Sequence, residues 1–363
     1  MVGEEETGNE TYMANLLRGL ALVVAEDEVF VAAAHADHVE PLIAVNPRLK
    51  VVPVSVGPFR RLLRELPALA ARLESNALYV TYAGPIRCRC PLVVAVHDVS
   101  YRRHPEWFSL RDRIVLGLGV GITLRRAAAV VTLSEFSKNE IAALYPIPAE
   151  RIHVTPLASP SQFRPEENDD FEVLARLGVR KPYVLAVGNL QPRKNLGRLI
   201  DAFGRLAART AFVHDLVLVG KAQWQASELG SRIERLKLAD RVKAVGYVSG
   251  QDLPALYRGA DLFAYPTLYE GFGLPVLEAM ASGTPVLTSN VSPIAELAGN
   301  AARLVDPLSV DELERGILEM CAEPGRRSFW REAGLALSRR FSWEQTARQT
   351  LAIIRRAAVA PGE

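Results

Sequence analysis

Short apolar runs alternate with amphipathic stretches along the whole chain. In the first half, β-rich runs at 28–34, 49–54, 77–82, 92–96, 129–133 and 152–155 predict strands, and helical periodicity at 10–24, 59–74, 109–126 and 137–144 predicts helices. A polar segment with proline and acidic residues, 159–170, interrupts the alternation. It then resumes with strands at 183–187, 215–219, 242–245, 262–265, 285–288 and 302–305. The runs Tyr183-Val184-Leu185-Ala186-Val187 and Leu216-Val217-Leu218-Val219 are continuously apolar, as strands covered by helices on both faces require. The pattern predicts an α/β protein of two doubly wound parallel domains, 1–165 and 166–342, followed by a helix at about 343–358. Ser137 with Glu140 and Ser342 with Gln345 have capping-box spacing, so those serines are read as helix caps.

A doubly wound domain normally opens with a buried strand that leads into a glycine turn. Here the chain starts at the turn, residues 3–8, and passes directly into the helix from Glu10, so the first strand is expected to be missing.

Composition narrows the function. A chain of 363 residues that is 49% hydrophobic suits two ordinary cores. A net charge of +2 with scattered basic residues gives nucleic acid no electrostatic footprint. Cys88, Cys90 and Cys321 are too few for a disulfide framework, and an isolated C-x-C is a poor zinc site, so a reduced, cytosolic chain without a metal is expected. No run approaches the roughly 18 apolar residues of a membrane span, and Glu4-Glu5-Glu6 is the opposite of a basic signal sequence. Residues 58–74 place Phe59, Leu62, Leu63, Leu66, Leu69 and Leu73 at helical spacing beside Arg60, Arg61, Arg64 and Arg72. An ordinary surface helix is the favoured reading, with peripheral contact at the inner face of a membrane as the alternative.

The conspicuous polar residues fall at strand ends, where open α/β sheets bind ligands: His97, Ser134, Arg193 with Lys194, and Glu270. Glu270-Gly271-Phe272-Gly273-Leu274-Pro275-Val276-Leu277-Glu278 leaves a strand, passes two glycines and enters a helix at Pro275. Such a loop can aim backbone donors and the positive end of a helix dipole at phosphate. Glu278 in the helix's first turn can accept both hydroxyls of a ribose, and Glu270 can bond sugar hydroxyls beside the reacting carbon. Gly188-Asn189-Leu190-Gln191-Pro192-Arg193-Lys194-Asn195 is again strand, turn and helix. An arginine fork and a lysine point charge there can neutralise a diphosphate, including the charge that develops as a sugar leaves.

These motifs resemble family-4 retaining glycosyltransferases of the GT-B fold over nearly the whole chain. The E-x7-E pair Glu270 and Glu278, the stretch Glu278-Ala279-Met280-Ala281-Ser282-Gly283-Thr284-Pro285-Val286, His97-Asp98, Ser134-Glu135-Phe136-Ser137-Lys138, Pro192-Arg193-Lys194-Asn195 and Phe341-Ser342-Trp343 carry the match. The resemblance implies two Rossmann-like domains facing across a cleft, an acceptor-side domain first and a nucleotide-sugar domain second, with the last helix returning to the first domain. It implies sugar transfer with retention and no required metal or other cofactor. It also implies that His97 contacts the donor sugar, that Arg193 and Lys194 hold the diphosphate, and that Gly188 and the backbone of Gly271, Phe272, Gly273 and Leu274 line the pocket. Tyr247 and Val248 would lie near the base, and Gly8 would belong to a glycine loop near phosphate and acceptor. Many relatives carry a basic residue where this chain has Asn189, so Arg193 is expected to take over its phosphate contact.

Retention leaves two routes open. Glu270 could attack the anomeric carbon, or the acceptor could enter on the face from which the diphosphate leaves, which is the favoured reading. The sequence is similar to bacterial mannosyltransferases of cell-surface polysaccharide synthesis, so GDP-mannose is the expected donor and a UDP-hexose the alternative. The expected acceptor is a saccharide or lipid-linked saccharide. A catalytically silent sugar-nucleotide-binding protein and a nucleotide-sugar epimerase are the competing classes. A dinucleotide oxidoreductase would need a G-x-G-x-x-G turn that neither domain offers.

Overall fold

The structure, a computed structural model, describes residues 7–25, 28–34, 50–55, 57–165, 170–189, 191–209, 211–220 and 226–359. Gly3, the Glu4-Glu5-Glu6 run and Leu190 lie outside the described residues. The chain divides into two compact units, one of Met1–Ala158 with Ser342–Glu363 and one of Ser159–Phe341.

In the first unit, β1 (Val31–Ala34) and β2 (Lys50–Pro53) form a parallel pair. The strands β3 (Leu78–Thr81), β4 (Leu92–Ala95), β5 (Ala129–Thr132) and β6 (Ile152–Val154) form a second parallel sheet in that order. Every residue of β4 and β5 is buried. The reason is two-sided cover: the Leu110–Arg126 helix packs on β4 from one side, and the Trp343–Val359 helix lies on β4 and β5 and against the Thr7–Val23 helix. Gly19 permits that last contact, since a Cβ there would lie 2.5 Å from the Trp343 carbonyl oxygen.

The second unit is one six-stranded parallel sheet. Its strands are β7 (Tyr183–Val187), β8 (Asp215–Val219), β9 (Val242–Gly246), β10 (Leu262–Tyr265), β11 (Val286–Ser289) and β12 (Arg303–Val305), in the order β12-β11-β10-β7-β8-β9. The order reverses between β7 and β10, which makes the carboxyl ends of those two strands the switch point where such sheets bind ligands. One face is covered by the Leu196–Ala207 and Val310–Ala322 helices, and the other by helices at Leu253–Gly259 and Leu274–Ala281. Both units are thus parallel α/β layers, as the apolar runs predict.

Local expectations need four corrections. The first helix begins at Thr7 and not at Glu10, which places Gly8 in its first turn and not in a loop. The cap of the Glu135–Leu144 helix is Ser134, whose hydroxyl accepts from the Ser137 N–H. Ser137 is instead buried inside the helix and donates to the His97 carbonyl, while Glu140 pairs with Arg103. Residues 58–72 are not one regular helix: Pro58–Arg60 and Leu66–Arg72 are α-helical, and Arg61–Glu65 is a π-helical turn. Pro67 explains the widened turn, because it lacks an N–H and its ring crowds the carbonyl four residues back. Of the apolar stripe only Leu66 is buried, and Phe59, Leu63 and Leu73 are exposed. Finally, the Leu274–Ala281 helix starts one residue before Pro275, so Glu278 is its fifth residue and lies beyond the first turn.

Among the described residues no helix is long and apolar enough to cross a membrane. Nor do three or more metal-ligating side chains gather there.

Candidate active site

The switch point carries a buried polar cluster. Glu270, 7% exposed, follows β10, and Lys194, 9% exposed, ends a 3-10 turn at Pro192–Lys194 after β7. Lys194 Nζ donates to Glu270 Oε1 at 2.7 Å, and the Tyr265 hydroxyl donates to the same oxygen at 2.9 Å. Arg193 Nη1 reaches Glu270 Oε2 at 3.2 Å. Thr267 Oγ1 lies 3.0 Å from both Glu270 Oε1 and the Arg193 carbonyl oxygen, with one proton to share between them. Lys194 also bonds the Tyr265 hydroxyl and sits 4.7 Å from the centre of its ring.

The local sequence explains why these groups converge. Asn195 adopts the left-handed conformation that its short polar side chain tolerates, and so turns the chain into the Leu196–Ala207 helix. Its buried amide donates to the Pro266 carbonyl at 3.0 Å and the Pro307 carbonyl at 2.6 Å, fixing the turn to the segments that follow β10 and β12. The Leu268 N–H donates to the Arg193 carbonyl at 2.7 Å, which joins the two motifs directly. Gly188, at φ +145°, leaves room for the Lys194 stem, since a Cβ there would lie 3.1 Å from Lys194 Cε.

Electrostatics separates the two carboxylates of the motif. Burial alone would raise Glu270, but the charges of Arg193 and Lys194 and the bonds from Lys194 and Tyr265 outweigh it and hold the carboxyl down at about 2. Glu278 is equally buried but has only the Tyr257 hydroxyl, at 3.1 Å, and the more distant Lys194 charge to oppose desolvation, so it is pushed up to about 7. Two glutamates eight residues apart therefore differ in protonation near neutral pH.

Gly271 and Phe272 are buried, and Phe272 packs edge-on to Phe341 with ring centres 6.2 Å apart. Gly273 caps the Leu274–Ala281 helix at φ +110°, where a Cβ would strike Ile294. Leu274 is half-buried. After β9, Tyr247 is exposed and Val248 is buried.

In the first unit, His97 follows β4 and is 8% exposed. Its Nδ1 lies 2.9 Å from Asn9 Oδ1, and Tyr12 and Tyr82 meet its ring edge-on at 4.4 and 5.5 Å. An amide oxygen can only accept, so Nδ1 carries the proton and Nε2 keeps its lone pair. Burial lowers the imidazole to about 4 against the opposing charge of Asp98, which keeps it neutral. Nε2 is buried with no hydrogen-bond partner among the described residues. Gly8 is exposed in the helical turn that carries Asn9.

The structure thus brings Arg193, Lys194 and Glu270 into one cluster beside Gly188, places Glu278 on the helix behind it, and sets His97 in the first unit. Asn9, Tyr265, Thr267 and Tyr257 are the partners that sequence reasoning missed. Tyr265 had a signal, a phenol at the end of an otherwise apolar strand five residues before Glu270. Asn9 had none, since its partner is 88 residues away.

Comparison with known proteins follows the same division. A family profile described as glycosyl transferases group 1 matches residues 169–336, and one described as glycosyltransferase family 4 matches residues 7–158. The chain is 36% identical over 262 residues to the O-antigen chain mannosyltransferase B of Escherichia coli, covering 71% of this chain and 68% of the relative. It is 31% identical over 242 residues to the MMP alpha-(1->4)-mannosyltransferase of Mycolicibacterium hassiacum, covering 64% of this chain and 55% of that one. Among solved structures, the sucrose-phosphate synthase of Thermosynechococcus elongatus matches with a TM-score of 0.76, covering 98% of this chain and 94% of that chain. At 19% identity that likeness speaks for the fold.

Proposed function

The chain belongs to the group 1, family-4 glycosyltransferases, and from that premise we propose that it transfers mannose with retention from GDP-mannose to a saccharide or lipid-linked saccharide of a cell-surface polysaccharide. The observation that carries this reading is the Arg193–Lys194–Glu270 cluster at the switch point of the second sheet. The mannosyltransferase names of two relatives sharing 36% and 31% of aligned residues favour the sugar.

In the proposed reaction the bond between the anomeric carbon and the β-phosphate oxygen breaks, and its electron pair leaves with the diphosphate. Arg193 and Lys194 neutralise that charge, Arg193 as a fork and Lys194 as a point charge. The acceptor oxygen bonds to the anomeric carbon from the same face, and its proton passes to a departing phosphate oxygen. Glu270 bonds the sugar hydroxyls and holds both cations in place. A carboxylate already engaged by Arg193, Lys194 and Tyr265, and held at about 2, is a poor nucleophile, which favours this same-face route over attack by Glu270. Glu278 takes the ribose hydroxyls, Tyr247 and Val248 lie near the base, Gly188 and residues 271–274 line the pocket, and Gly8 lies on the phosphate and acceptor side. His97 accepts a hydrogen bond from the donor sugar through Nε2.

The test is nucleotide release from a panel of sugar nucleotides, followed by mass spectrometry with and without saccharide and lipid-linked acceptors, in the wild type and in Glu270→Ala and Lys194→Ala. Acceptor-dependent GDP release from GDP-mannose, lost in both variants, is expected. Release of UDP instead would overturn the donor, and binding without turnover by folded protein would point to a silent sugar-nucleotide-binding protein.

A further inference from the structure

The connection between β3 and β4, residues 82–91, is tied down at both ends. The Tyr82 N–H donates to the Ala95 carbonyl at 2.8 Å, the Gly84 N–H to Thr123 Oγ1 at 2.9 Å, and the Leu78 N–H to the Pro91 carbonyl at 2.9 Å. Between those ties the backbone bends at Arg89 and Cys90, and Cys88 Sγ comes to 3.3 Å from Cys90 Sγ. A disulfide needs about 2.05 Å between its sulfurs, so the two thiols touch without being bonded and are held close to bonding distance. Both are half-buried, whereas Cys321 is packed into the core of the second unit.

Two thiols in contact have a chemistry that a single cysteine lacks. Once one sulfur is joined to an outside thiol, the other is already placed to displace it. Cys90 is the poorer first nucleophile, because burial, reinforced by the Cys88 sulfur, pushes its thiol up to about 12. Cys88 is then the attacking sulfur. Arg87 and Arg89 flank it, and both are exposed and pair with no carboxylate among the described residues. They offer unneutralised positive charge to an anionic reagent. Bridging Cys88 to Cys90 closes a loop with one residue between its ends, which removes little entropy from the unfolded chain. Such a bond adds little to the fold and is readily reopened.

We propose that Cys88 and Cys90 form a reversible dithiol–disulfide site for anionic low-molecular-weight disulfides. Cys88 releases its proton to water and attacks one sulfur of the reagent, whose S–S bond breaks and whose other half leaves as a thiolate that takes up a proton. The Cys90 sulfur then displaces the remaining half from Cys88, and its proton goes to that second leaving thiolate. The cysteine pair is oxidised by two electrons and the reagent is reduced to two thiols, and a dithiol reductant runs the exchange backwards. The inference does not depend on the donor or the reaction.

The experiment treats the folded full chain with glutathione disulfide, which is anionic, or cystamine, which is cationic, then blocks the remaining thiols with iodoacetamide and reads the intact mass. It compares the wild type with Cys88→Ser, Cys90→Ser and Arg87→Ala/Arg89→Ala, with thermal unfolding to confirm that each variant folds. The wild type should lose two thiols and two hydrogens, retain no glutathione, and recover both thiols in dithiothreitol. Cys90→Ser should stop at the mixed disulfide, and Cys88→Ser should react at least about tenfold more slowly than the wild type. With each rate taken relative to that of mercaptoethanol, glutathione disulfide should react about tenfold faster than cystamine at low salt, and lose that lead at high salt or in the arginine variant. A wild type that keeps its thiols, or holds one glutathione without closing the bridge, would overturn the proposal. So would Cys88→Ser reacting as fast as the wild type, or cystamine matching glutathione disulfide at low salt.

Discussion

Lys194 Nζ lies 2.7 Å from Glu270 Oε1, and both side chains are almost wholly withdrawn from water. Removing Glu270 strands Lys194 as a buried charge, and removing Lys194 leaves the buried Glu270 with Arg193 as its one remaining cation among the described residues, whereas removing both leaves neither charge buried. Lys194→Met and Glu270→Gln should therefore each destabilise the second unit by about 3 kcal/mol, and the double variant should recover much of that loss. Nucleotide release should fall at least about 100-fold in all three, since the double variant restores the fold without the cation proposed to meet the leaving group. Urea midpoints and release assays on the same preparations check the two halves. Strictly additive stability losses would show that the pair does not act as a unit.

The same pair fixes an acid limit. Glu270 is held at about 2, below its ordinary value of 4.5, so the native state binds fewer protons than the unfolded chain between those values. Its contribution is complete above pH 4.5 and is lost as pH falls toward about 2. Glu270→Gln should remove that component of acid unfolding, seen as a flatter dependence of the urea midpoint on pH between about 5 and 2.

Gly220 sits at φ +151°, and a Cβ there would lie 1.9 Å from the Gly188 carbonyl oxygen. The obstacle is backbone, so no side chain can yield. Gly220→Ala should displace the turn that carries Arg193 and Lys194 and cost about 3 kcal/mol or more. Gly230→Ala, in a helix with nothing within 4 Å of the added methyl, should be neutral or stabilise by up to about 1 kcal/mol. Thermal and denaturant midpoints of the two variants settle the contrast, and equal effects would refute it.

Much of this was legible in the chain before the fold was known. The strands β7, β8 and β10 sit where the continuous apolar runs put them, because a strand covered on both faces has no polar positions to blur its ends. The E-x7-E loop was legible for a related reason: two glycines and a proline leave few other backbone paths. What escaped notice depends on distance in sequence. Local spacing could not show that Tyr265 bonds Lys194, 71 residues away, or that Asn9 meets His97. Ser134 was passed over as a cap because Ser137 with Glu140 also fits the pattern, and only the burial of Ser137 against the His97 carbonyl decides between them.

Asn9 is expected to act through His97. With its oxygen accepting from Nδ1, the imidazole presents an unprotonated Nε2. Asn9→Ala should release the tautomer and lower kcat/KM about five- to tenfold, the worth of one hydrogen bond. Asn9→Asp keeps an acceptor at the same place and should restore the tautomer, while its charge moves the histidine titration upward from about 4. Nitrogen chemical shifts of His97 read the tautomer directly. An unchanged tautomer in Asn9→Ala would remove Asn9 from this role.

Glu278 gives the prediction that reaches physiological pH. Burial raises its carboxyl to about 7, opposed only by the Tyr257 hydroxyl and the Lys194 charge, so the native state holds a proton that the unfolded chain has released above 4.5. Unliganded protein should accordingly lose stability as pH rises from about 4.5 to about 7 and change little from this source beyond it, by on the order of 3 kcal/mol in all. Glu278→Gln should abolish that slope and be the more stable form at pH 8. Binding of a ribose reverses the balance: two hydroxyls donating to the carboxylate favour its ionised form, so nucleotide binding should release a proton below pH 7 and tighten as pH rises toward 7. Isothermal titration in buffers of different ionisation enthalpy measures that proton. If GDP bound with no proton release at pH 6, and with the same affinity at pH 6 and 8, Glu278 would not be the ribose acceptor, whatever its contribution to the stability of the fold.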